Sequence, residues 1–207
     1  VIPDSGEPIH SEVPAGAAFW TPDPGELEER DSIGYFHDVW LLGRVERHEA
    51  AAVARDEREL VQMADSFACD HEEFERILIA FEYSDTGSIP ARFKSAPEAD
   101  ELFGYADSPG SVDLGGLETG VAGLSYALAA VGCIPAASCR WHPGPRSWAP
   151  NPVVYLAADR PTVERIQPHV RAAGCGFGLD ATRPELLVLG GPSVANIMEL
   201  ARRLIEA

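Results

Sequence analysis

The densest chemistry in the chain is Ser138-Cys139-Arg140-Trp141-His142, followed closely by Arg146-Ser147-Trp148. This stretch joins a thiol, an imidazole, two guanidiniums and two of the four tryptophans. Three kinds of chemistry fit these residue types. Cys139 and His142 suit a catalytic nucleophile and its base, with Arg140 and His142 favouring the thiolate. The same C-x-x-H pair offers two ligands to zinc, and Cys133 and Cys175 are the candidates to complete a tetrahedral site. The second knuckle that marks recognised zinc signatures is missing, so no cofactor is favoured and zinc stays an open option. Arg140 and Arg146, with His142, could instead grip a carboxylate or phosphate while Trp141 and Trp148 stack on a planar ligand. Against all three stands an architectural reading, in which the arginines pair with carboxylates elsewhere and the tryptophans close the core.

Other short motifs carry less. Gly190-Gly191-Pro192-Ser193 has glycines that could present N–H groups to an anion, but it lacks the lysine and spacing of a phosphate loop and reads as a tight turn. Asp85-Thr86-Gly87 spells the aspartic-protease triplet without a second copy, and helix termination accounts for it. The run from Ser138 to His142, placed after an apolar helix and a strand, resembles the Ser-Cys-Ser-Gly-Arg strand end of the tRNA wybutosine-synthesis methyltransferases of the third type. Trp141 stands where that motif has glycine and the arginine is displaced. The resemblance therefore implies no activity and no site residue for this chain.

The elements that must position these groups follow from periodicity. Residues 1–25, with Pro3, Pro8, Pro14, Pro22 and Pro24, predict an extended arm pinned by Phe19 and Trp20. Residues 26–110 form an acidic helical region, with helices over 44–63 and 70–83. Asp70 and Glu73 make a capping pair for the second, and Phe74, Ile77, Leu78 and Phe81 give it an apolar face. Residues 84–112 read as a long loop with a short helix over 97–103. Residues 111–207 form an α+β module with a helix at 117–131 and an edge strand at 134–138 that tolerates Pro135. A strand at 153–157, a helix at 161–173, strands at 175–179 and 186–189 and a closing helix at 193–205 complete it. Gly116, Gly120 and Gly123 would let another backbone approach the 117–131 helix. The expected fold is α+β: a helical acidic N-terminal half packed on about four mixed or antiparallel strands, all one cooperative unit.

Composition bounds the function. The chain has 207 residues, 45% apolar and 24% charged, which is globular material. Its formal charge of −17 resides wholly in the first 110 residues, where 25 acids face 8 basic residues; the remainder balances. That field disfavours nucleic acid and anionic membranes. Four scattered cysteines suggest reduced thiols and a cytoplasmic protein. The leading expectation is a binding or regulatory protein that recognises an anionic small molecule or partner through the 139–148 loop. The alternatives are an enzyme using Cys139 and His142, and an acidic inhibitor or immunity-type protein that binds a basic partner. Oligomeric state is not legible.

Overall fold

The structure is a computed structural model that describes residues 1–23, 28–29, 40–41, 45–83, 87, 89, 92, 114–142 and 147–207. Arg146, Asp85-Thr86 and the short helix expected at 97–103 lie outside the described residues. Two-residue strands β1 (Glu28–Glu29) and β2 (Trp40–Leu41) pair in parallel, a feature the helical reading of 26–83 missed. The remaining order is α1 (Arg47–Phe67), α2 (His71–Tyr83), α3 (Ala122–Ala130), β3 (Ile134–Cys139), β4 (Val153–Ala157), α4 (Arg160–Ala172), β5 (Gly176–Leu179), β6 (Leu187–Gly190) and α5 (Val194–Glu206).

The four longer strands form one antiparallel sheet in the order β3-β4-β6-β5. The N-terminal half contributes α1 and α2, and the C-terminal half contributes the four-stranded sheet with α3, α4 and α5, so the class is α+β. β3 is the edge strand that Pro135 requires, and the register shifts between Pro135 and Ala137, where a missing N–H costs no ladder bond. Side chains alternate along the strands. Val154, Leu156, Leu187 and Leu189 face a core closed by α3, α4 and α5. Cys139, Val153, Tyr155 and Ala157 face the other way, against Ala149 and Trp20.

The helices start where the sequence signals them. Asp70 accepts the N–H of Glu73 at 2.8 Å, and Glu73 reaches back to the N–H of Cys69 at 2.9 Å. Asp159 accepts from Thr162 at 2.9 Å and Pro161 occupies the first turn of α4. α3 begins later than its apolar pattern suggests, because Gly115, Gly116 and Gly120 take positive φ and hold residues 114–121 in turns. Phe74, Ile77 and Leu78 of α2 and Val61 and Ala64 of α1 share a core with Val194 and Met198 of α5. Burial of this shared apolar surface ties the N-terminal helices to the sheet module. No helix of the described residues is long and apolar enough to cross a membrane.

Candidate functional site

Three segments meet where β3 ends: the last residue of β3 and the chain beyond it, the turn that precedes α3, and the face of α2. Arg140 follows β3 directly and is only 2% exposed. Its guanidinium is bidentate to Glu75, with Nε to Oε2 at 3.2 Å and Nη2 to Oε1 at 3.0 Å. Nη1 donates to Glu82 and to the Thr119 carbonyl at 3.0 Å, and Nη2 also reaches Glu82 at 3.4 Å. All five N–H groups of the fork are thereby used. Burial would lower the Arg140 pKa, but Glu82 and Glu75 outweigh it and push it up. The sequence expectation of Arg140 as a ligand-gripping residue meets a guanidinium with no donor left. The carboxylates that hold it lie 58 and 65 residues away.

His142 sits between two carboxylates. Its Nδ1 meets Glu75 and its Nε2 lies 3.0 Å from Oε1 of Glu118. The Cys139 thiol, Glu118 and Glu75 together push its pKa up to about 12. Burial works to raise Glu75, but the hydrogen bond from His142 and the Arg140 charge hold it down at about 2. Glu118 is likewise shifted down against the effect of burial, through His142 and the Arg140 N–H, which donates to Oε2 at 2.6 Å. Two other acids of the C-terminal module, Asp159 and Asp180, are engaged elsewhere. Asp159 caps α4, and Asp180 accepts from Tyr155 and from the N–H groups of Thr182 and Arg183.

Cys139 closes the arrangement. Trp141 adopts φ +66°, a left-handed conformation that costs a non-glycine residue roughly 1–2 kcal/mol. In this conformation the Trp141 N–H lies 3.4 Å from Cys139 Sγ, and Ser147 Oγ lies 3.9 Å from the sulfur. One ligand atom each from Glu118, Cys139 and His142 lies within 4.8 Å of the others. Cys133 and Cys175 do not join them. Both lie in the core on the opposite face of the sheet, where burial pushes each thiol up to about 12. Trp148 is 52% exposed, and its ring stands 5.6 Å from that of Tyr155. The Gly190–Ser193 turn is filled from inside: Asn151 donates to Gly191 O and Gly191 N–H donates to Pro152 O.

Sequence reasoning missed Glu75, Glu82 and Glu118. One signal was available: Glu75 and Glu82 are seven residues apart, so they share the flank of the α2 stripe formed by Phe74, Ile77 and Leu78. A flank next to a core stripe is half-buried, and carboxylates there need partners. No family model matches the chain, and no curated protein or solved structure matches it significantly.

Proposed function

We propose that the protein binds a soft divalent cation of the zinc type through Glu118, Cys139 and His142. The observation that carries this reading is the convergence of three ligand atoms of different chemistry within 4.8 Å. Ligands of one tetrahedral zinc lie roughly 3.3–3.7 Å apart, given bond lengths of about 2.0–2.3 Å, so small side-chain adjustments suffice. A thiolate and an imidazole select zinc-like metals over magnesium or calcium. The surroundings support the same chemistry. Glu75 holds the Nδ1 side of His142, as carboxylates orient the second nitrogen of metal-bound histidines. The Trp141 N–H would stabilise a coordinating thiolate.

The nucleophile-and-base reading draws less support. Cys139 is fully buried, so its thiol has no exposed face on which a substrate could be attacked. Zinc content after dialysis should be one ion per chain. Cobalt titration should give a near-ultraviolet thiolate-to-metal band that disappears in Cys139→Ser and weakens at least tenfold in His142→Gln and Glu118→Gln, with far-ultraviolet circular dichroism unchanged. Equal metal affinity in the wild type and a folded Cys139→Ser would sink the reading.

A further inference from the structure

Of the three side chains that converge at the end of β3, Glu118 is the one its own stretch of chain secures least. Cys139 ends a paired strand and His142 is gripped by Glu75, whereas Glu118 stands on a turn with its side chain 35% exposed. The helix after that turn, α3, has Val121 at its N-cap, which offers no side-chain acceptor to the first N–H groups. The Thr119 hydroxyl is fully buried and has no partner among the described residues, so it does not hold the turn either.

Carboxylates from two distant helices hold it instead. Glu82 of α2 accepts the Thr119 N–H at 2.7 Å, and also serves Arg140. Glu57 of α1, wholly buried, accepts the Gly120 N–H at 2.8 Å on one oxygen and the Gly123 N–H at 3.1 Å on the other. A cap supplied by the local chain would travel with the turn. One supplied from α1 fixes the turn relative to the rest of the fold. On the far side Gly120, at φ +105°, is pressed against α5, where an added Cβ would stand 2.7 Å from Val194 Cγ1. The backbone two residues beyond Glu118 is thus clamped between α1 and α5. From that anchorage Glu118 meets the Arg140 N–H at 2.6 Å and His142 Nε2 at 3.0 Å.

We infer that Glu57 is a positioning residue for the proposed centre: from α1 it sets where Glu118 stands relative to Cys139 and His142. The inference rests on the metal reading above and adds to it a residue that touches none of the three ligands. Metal affinity depends on such supports, because a ligand set that must rearrange binds more weakly than one already in place.

The test is a double-mutant cycle on the full chain, read by cobalt titration and by urea midpoint. Glu57→Gln keeps the shape of the side chain but sets an amide NH2 against one of the two N–H groups, so the turn must shift. Cobalt affinity should fall several-fold in Glu57→Gln, while the thiolate-to-metal band keeps its position, because Cys139 belongs to β3 and not to the turn. In a Glu118→Gln background the same substitution should leave cobalt affinity unchanged, with its effect on the urea midpoint undiminished. Equal weakening of cobalt in both backgrounds would mean a general structural role and would overturn the inference, as would an unchanged affinity in Glu57→Gln alone. Should Glu57→Gln fail to fold, Glu57→Asp, which keeps both acceptors on a shorter stem, enters the same cycle with the same expected outcomes. Failure of the wild type to bind cobalt would instead remove the metal reading beneath it.

Discussion

Arg140 shows how a single side chain can carry opposite meanings in sequence and in space. Its neighbours in the chain are a thiol, an indole and an imidazole, which suggests a ligand. Its neighbours in the fold are Glu75, Glu82 and the Thr119 carbonyl, which make it an anchor between β3 and α2. Removing one partner of a buried ion pair strands the other charges, at a cost of about 3–5 kcal/mol. Lysine keeps the charge but has three donors in place of a planar fork, so it cannot satisfy Glu75 bidentately while also serving Glu82 and Thr119. Arg140→Ala should therefore lower stability by about 3–5 kcal/mol and Arg140→Lys by at least half of that. Urea midpoints at pH 7 measure both. A midpoint for Arg140→Lys equal to the wild type would show that the guanidinium geometry is not what holds α2 to the strand end.

At the scale of elements, the contact between α1 and α3 is built around one carboxyl. Glu57, on the buried face of α1, accepts the N–H groups of Gly120 at 2.8 Å and Gly123 at 3.1 Å, where α3 begins. A Cβ on Gly123 would stand 2.5 Å from Glu57 Oε2 and 3.0 Å from Ala54 Cα, so the glycine that weakens the helix also lets the backbones meet. Burial pushes the Glu57 pKa up to about 7, from an ordinary 4.5, because the N–H groups and Arg140 only partly offset it. The folded chain thus holds this proton more tightly than the unfolded chain. Stability from Glu57 is complete below pH 4.5 and falls, by on the order of 3 kcal/mol, as pH rises through 7. Glu75, held near 2, acts in the other direction and loses its contribution as pH falls from 4.5. His142, raised to about 12 from 6.5, contributes fully below 6.5 and declines above it. These three windows place their joint optimum near pH 4.5. Denaturation at pH 4.5 to 6.5 isolates Glu57, and Glu57→Gln should flatten that interval; an unchanged slope would show that the carboxyl is already ionised there. The glycines, caps and apolar stripes behind these elements were legible because they act within one or two turns of chain. Pro135 read correctly as an edge signal for the same reason. The charge network was not legible, since its members lie on α1, α2, the 118–120 turn and the β3 end, and only folding sums their charges.

Over the whole molecule, the N-terminal segment works as a strap around the sheet module. The Ile2 N–H reaches Asp65 on α1 at 3.0 Å, and the Ser5 N–H reaches Pro192 O at 2.9 Å. The His10 carbonyl accepts the Phe177 N–H at 2.8 Å, which satisfies the outer edge of β5. Val13, Ala17 and Phe19 pack on the main core, Arg160 lies 3.9 Å over the Phe19 ring, and Trp20 joins the opposite face. Proline-rich chain suits this path, because it gives up less freedom on docking and needs fewer N–H partners. The closest approach is at Gly176, where an added Cβ would meet His10 O at 2.2 Å and Ile9 Cγ2 at 2.6 Å. Both are arm atoms, so Gly176→Ala must displace the arm while leaving the ladder between β5 and β6 in place. Gly178 is the matched control on the same strand, since its added Cβ would find only Val188 at an ordinary 3.7 Å. Limited proteolysis should cut within residues 1–20 at least tenfold faster in Gly176→Ala than in Gly178→Ala or the wild type, with the core fragment remaining folded. Equal cleavage rates in all three would mean that the arm's hold does not depend on its contact with the β5 edge, and would shift the weight to Ile2 and Phe19 at its ends.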